Sequence, residues 1–92
     1  MPATLDMPGK VADFLRKLEL DAAERAAIDQ GEKVRRGQGY TLRITAVPAV
    51  HRALLDRCQP LNDTAAIPAQ RKARREYANR INALPEAANV RP

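Results

Sequence analysis

Tryptophan is absent from this 92-residue chain, cysteine and histidine occur once each, and Phe14, Tyr40 and Tyr77 are the only aromatic residues. Each shortage excludes something. A lone Cys58 cannot close an intramolecular disulfide, and one cysteine with one histidine cannot complete a zinc site within one chain. No stretch approaches the roughly 18 apolar residues of a membrane span. The opening Met1-Pro2-Ala3-Thr4-Leu5-Asp6 lacks the basic-then-apolar order of a signal peptide. A cytoplasmic protein with no metal or other cofactor is expected. Much of the 45% hydrophobic content is alanine, which favours helix and buries little surface. The core should therefore be thin and helical, and chains this small often gain stability by oligomerising.

The formal net charge of +5 hides an asymmetry. Residues 1–30 carry four Lys/Arg against six Asp/Glu, whereas residues 31–92 carry twelve against five. Most of the later basic residues are arginine, whose planar fork suits phosphate and base contacts. An alanine-rich chain can also owe its arginine to a GC-rich genome, so the excess is only partly a functional signal.

Apolar spacing organises the chain as one domain over 1–92. Val11, Phe14, Leu15 and Leu18 form a helical stripe, predicting a first helix near residues 8–19 with an Asp13–Lys17 ion pair. Asp21-Ala22-Ala23-Glu24 has capping-box spacing and starts a second helix, which Gly31 is placed to stop. These make an N-terminal helical pair over 1–31. A ribbon region follows over 32–46. Glu32–Arg36 either prolongs the helix or forms the arm of a hairpin closed by Gly37-Gln38-Gly39, the reading leaning to extended or irregular structure. Tyr40–Thr45 is the one clear β-segment, with Tyr40, Leu42 and Ile44 on one face and Thr41, Arg43 and Thr45 on the other.

A two-helix unit is predicted over 47–85. Its first helix spans about 48–58, with Val47, Val50, Leu54 and Cys58 as the apolar stripe, and a loop follows at Gln59–Thr64. Its second, capped by Thr64 or a neighbour, has Pro68 in the first turn and buries Ala73, Tyr77, Ile81 and Leu84. Residues 86–92 read as a loose tail. The fold class is thus α+β and mostly helical, with about four helices and one short strand or ribbon near 40–45.

Catalytic chemistry finds little footing. His51 and Cys58 share a helix face seven residues apart, about 10 Å, too far for a nucleophile–base pair. His51 is expected to be an ordinary, partly exposed residue and Cys58 a small buried hydrophobe. Asp21 and Glu24 are explained as a cap, and Glu76 faces Lys72 and Arg80 at four-residue spacing. Gly37-Gln38-Gly39 lacks the Gly-Lys-Ser/Thr ending of a phosphate loop. No enzyme is expected.

The polar face of the strand carries side chains that a β-ribbon can use in a DNA major groove: arginine for guanine, and threonine as hydroxyl and methyl. The simpler account is that any half-buried strand has a wet face. Strand, helix, loop, helix over about 39–84 resembles the ribbon-helix-helix family of dimeric DNA-binding proteins. That resemblance implies a homodimer whose strands pair antiparallel across a twofold axis. Thr41, Arg43 and Thr45 would then read bases, while Thr64, Ala65 and Ala66 would lie near a phosphate-contacting helix start. Independently, Arg71, Lys72, Arg74 and Arg75 cluster on the last helix and can bind phosphate by counterion release. The expected function is a dimeric double-stranded DNA-binding protein, plausible as a small repressor or accessory regulator, with Thr41, Arg43 and Thr45 specifying sequence. Thr64, Arg71, Lys72 and Arg75 would hold the DNA backbone. The alternative is a small helical interaction factor that binds a protein partner and no nucleic acid, its strand pairing with a sheet edge on that partner.

Overall fold

A computed structural model describes residues 1–84; the tail expected at 86–92 and the helix stop expected at Pro85 lie outside the described residues. Among those described, the fold is α+β: strands β1 (Ala3–Pro8), β2 (Glu32–Arg36) and β3 (Gly39–Ala46), and helices α1 (Gly9–Leu15), α2 (Ala22–Asp29), α3 (Pro48–Arg57) and α4 (Pro68–Asn82). A short 3-10 turn at Gln59–Asn62 links α3 to α4. The three strands form one antiparallel sheet in the order β1-β3-β2.

Glu32–Arg36 is a hairpin arm, and the hairpin turns on two residues, Gly37 and Gln38, between the paired Arg36 and Gly39. Gly37 has φ +58°. A two-residue loop that matches the strand twist needs positive φ at its first position, which glycine supplies without steric cost. Leu42 and Ile44 point inward and are fully or almost fully buried, while Arg43 and Thr45 point outward, as the alternation predicts.

The sheet is wider than the single ribbon expected from sequence. Ala3–Pro8 pairs with β3 along its whole length, from Ala3 opposite Ala46 to Pro8 opposite Thr41. Taking these residues into a strand shortens the first helix to Gly9–Leu15, and the expected Asp13–Lys17 pair is replaced by Asp13–Arg16 at 3.9 Å. α2 begins at the expected capping box: Glu24 N–H donates to Asp21 at 2.9 Å, and Asp21 N–H donates to Glu24 at 3.1 Å. The almost fully buried Glu24 carboxylate also receives Arg57 Nε at 3.1 Å. Gly31 follows the helix end with ordinary φ; a Cβ there would sit 2.8 Å from the Leu42 side chain, so close packing is what selects glycine.

The helices cover the Leu42–Ile44 face. Met7, Val11, Leu15, Ile28, Leu54, Cys58, Tyr77 and Ile81 complete a core in which each is fully buried. Cys58 is therefore the expected buried hydrophobe. His51 is not the partly exposed residue expected; it has no accessible surface. Its Nε2 lies 2.8 Å from Ala3 O and its Nδ1 2.9 Å from Tyr77 Oη. A carbonyl only accepts, so Nε2 carries the hydrogen and Nδ1 accepts from the Tyr77 hydroxyl. This neutral imidazole fastens β1 to α3 and α4. Burial lowers its pKa from 6.5, and burial pushes the Tyr77 hydroxyl up.

Two outcomes follow for stability. Tyr77→Phe keeps the ring but leaves Nδ1 buried without a donor, and should cost about 1–3 kcal/mol in urea unfolding. Below about pH 6.5 the unfolded chain binds a proton at His51 that the native fold resists, so stability is complete above that pH and falls on acidification. His51→Gln should remove this component of the slope between about pH 6.5 and 5 in thermal melts, measured against the parent chain.

Candidate nucleic-acid interface

The outer face of the sheet carries the expected base readers; the structure pairs Arg43 and Thr45 with β1 side chains and buries the Thr41 hydroxyl. Arg43 Nε donates to Asp6 Oδ1 at 3.1 Å, and Arg36 approaches the other oxygen of the same carboxylate at 3.3 Å. The Arg43 hydrogen bond, reinforced by Arg36, holds the Asp6 carboxyl below its usual pKa, so the group stays charged and the cluster intact at neutral pH. Thr45 Oγ1 lies 2.8 Å from Thr4 Oγ1 across the β1–β3 ladder. Thr41 Oγ1 is buried, with no hydrogen-bond partner among the described residues. On this face the carboxylates of Asp6 and Glu32 balance the guanidiniums of Arg36 and Arg43, giving no net charge to attract a polyanion. The ribbon of the ribbon-helix-helix resemblance pairs the strand with its copy in a second chain. Here β1 and β2 take both edges of β3, so that pairing has no free edge to use.

The outer edges of the sheet are instead β1, whose Ala3 and Asp6 carbonyls receive His51 and Arg80, and β2. The β2 edge presents Lys33 and Arg35, and charged side chains on an edge strand oppose pairing with another chain. Lys33 Nζ sits 4.7 Å from the Tyr40 ring centroid, a cation–π contact that holds it near the sheet.

The basic residues of the last helix divide into two groups. Arg71 Nη1 is 2.7 Å from Ala66 O and 3.3 and 3.4 Å from the carbonyls of Thr64 and Asp63, bracing the loop before α4. Arg74 Nη2 reaches Leu55 O at 3.3 Å and Gln59 Oε1 at 3.1 Å, and Arg80 Nη1 reaches Asp6 O at 2.7 Å. These three hold elements together. Thr64 caps nothing: α4 is preceded by Ile67, without a side-chain cap, and Thr64 lies exposed in the loop. Arg80 is drawn to β1 rather than to Glu76.

Lys72 and Arg75 form the second group. Both are exposed, and among the described residues neither makes a hydrogen bond or ion pair. With Ala73, Tyr77 and Ile81 buried, the opposite side of α4 reads Lys72, Arg75, Asn79 and Asn82, all exposed. Spacings of three, four and three place these four on one face. Asn79 and Asn82 are additions to the residues expected from sequence. Marking the buried stripe on a helical wheel and reading the residues opposite it would have found them.

The N-terminal half of α4 faces a groove of about 530 Å³ shared with the start of α1 and the hairpin turn, bordered by Lys10, Arg36, Gln38, Lys72 and Glu76. Its floor includes Tyr40, whose hydroxyl donates to Asp13 at 2.5 Å. Burial and this hydrogen bond both raise the Tyr40 pKa, so the hydroxyl remains a donor at neutral pH.

Among the described residues no helix is long and apolar enough to cross a membrane, and no group of three or more His, Cys, Asp or Glu is placed to hold a metal ion. No family model, curated protein or solved structure matches the chain.

The division of the α4 cations is measurable through stability. Arg71→Ala should destabilise the chain by about 1–3 kcal/mol, because a half-buried charge-assisted contact to three carbonyls of the preceding loop is lost. Lys72→Ala and Arg75→Ala should each stay within about 0.5 kcal/mol of the parent, as exposed positions do. Urea titrations of the three variants check both statements.

Proposed function

We propose that this chain binds double-stranded DNA through the outer face of α4, with Lys72 and Arg75 on phosphate or base edges and Asn79 and Asn82 as further base contacts. The observation that carries this reading is the state of the cations. The other arginines of α4 are spent on carbonyl and amide contacts inside the protein, while Lys72 and Arg75 stand free on a face whose other members are amides. A helix about 10–12 Å across fits the roughly 12 Å width of the major groove, and fifteen residues run about 22 Å along it. In that groove arginine pairs with guanine and asparagine with adenine through two hydrogen bonds each.

The role expected earlier is kept, and its apparatus moves from the strand to the helix. Regulation of transcription is the natural use of such a reader. Docking onto a protein partner through the sheet is less well supported, since β3 is paired on both sides and the β2 edge carries Lys33 and Arg35 rather than an apolar ladder.

Fluorescence anisotropy with labelled duplexes tests the reading. Binding should weaken steeply with salt, and Lys72→Ala and Arg75→Ala should each reduce the log–log salt slope by about 1 if that side chain contacts phosphate. Asn79→Ala should cost about 1–3 kcal/mol of discrimination between duplex sequences. Arg43→Ala and Thr45→Ala should leave affinity unchanged, in contrast to a ribbon reader. Absence of duplex retention at low salt, or full retention by a Lys72→Ala/Arg75→Ala double variant, would refute it.

A further inference from the structure

The groove beside α4 has a construction of its own. Ala69 and Ala73, one helical turn apart, present only methyl groups to it, and Gly9 and Gly39 present none. These small residues hold the space open between α4 and the hairpin. Gly9 is also pressed so closely on Tyr40 that a Cβ there would come within 2.7 Å of the Tyr40 carbonyl oxygen. The wall therefore cannot be filled by a larger side chain without moving the strand.

Its charges sort in the same way as those of the helix. Arg36 is engaged by Asp6, and Asp13 by Tyr40 and Arg16. Lys10, Lys72 and Glu76 make no ion pair or hydrogen bond among the described residues, and Gln38 adds an exposed amide. Two free ammonium groups and one free carboxylate thus border a space within the size range of small-molecule sites. A ligand matched to that set carries a compact anion at one end and a hydrogen-bond donor at the other. A phosphate monoester, with close to two negative charges at neutral pH, satisfies the lysines better than a carboxylate does.

We propose that this groove binds a nucleoside monophosphate with an amino-bearing base, its phosphate between Lys10 and Lys72 and its amino group on Glu76. The site shares Lys72 with the DNA reading, but Lys10, Glu76 and the groove floor belong to it alone, so it stands if that reading fails.

The chain has only four glycines, whose amide resonances occupy their own region of a nitrogen–proton spectrum, and two of them line the groove. Titration of the labelled full chain with adenosine monophosphate should shift Gly9 and Gly39 and leave Gly31 in place. Adenosine alone, or inorganic phosphate alone, should bind at least about tenfold more weakly. Lys10→Ala should weaken binding about tenfold while retaining a native spectrum. Glu76→Gln should erase the preference for adenosine monophosphate over inosine monophosphate, which lacks the amino group. Static Gly9 and Gly39 resonances at millimolar nucleotide, or undiminished binding by Lys10→Ala, would overturn the proposal. So would a duplex, rather than the mononucleotide, moving those two glycines, because the groove would then belong to the DNA-contacting surface.

Discussion

Strand β3 is paired on both sides within one chain, and the rest of the architecture follows from that. Both of its neighbours precede it in sequence: β2 immediately, through a two-residue turn, and β1 from beyond two helices and β2 itself. With both ladders satisfied, its inward residues Leu42 and Ile44 set the plane on which all the helices gather, and its outward residues become the middle row of an exposed surface. The buried His51 fixes the same arrangement from the helical side, joining Ala3 to Tyr77. A central strand thus removes the need for a second chain at that position.

Arginine abundance is the second organising fact, and it reads differently in structure than in composition. In a core with few large aromatics, guanidiniums take over joints that apolar packing would otherwise make. Arg57 closes on the capping box of α2, Arg71 and Arg74 secure the segment between α3 and α4, Arg80 ties α4 to β1, and Arg43 and Arg36 converge on Asp6. A planar group with five donors can satisfy several oxygens at once, which suits loop carbonyls. Positive charge in the sequence therefore overstates the charge available to a ligand, and the cations left unengaged are the informative ones.

Much of the fold was legible residue by residue. The capping box at Asp21 and Glu24, the Tyr40–Thr45 alternation, the proline starts at Pro48 and Pro68 and the Ala73–Tyr77–Ile81 stripe are all local signals, and local physics produces them. β1 was not legible, because Ala3-Thr4-Leu5-Asp6-Met7-Pro8 contains proline and aspartate, both depleted in strands. It becomes a strand through a partner some forty residues away, and no window along the chain contains that information. His51 lay between the two kinds of case. It sits three residues before Leu54 and seven before Cys58, both fully buried, so its burial was readable even though Val47, expected on the same stripe, is exposed; its partner Tyr77, on another helix, was not. Of the candidate site, Lys72 and Arg75 were visible as charges, but their freedom depends on what Arg71, Arg74 and Arg80 do in three dimensions.

The same strand order has a consequence for how the chain reaches its fold. The β2–β3 hairpin closes over a two-residue turn, which takes on the order of microseconds. β1 must close a loop from Met7 to Leu42 before its ladder returns any energy, and loop-closure entropy makes such non-local pairing slow. Loop-closure entropy therefore favours forming the hairpin first and adding the N-terminal strand last. Until that strand arrives, the free edge of Gly39–Ala46 is a nascent ladder open to any extended chain nearby. The long reach that completes the native sheet also sets the period during which the chain is most exposed to mispairing with its own copies.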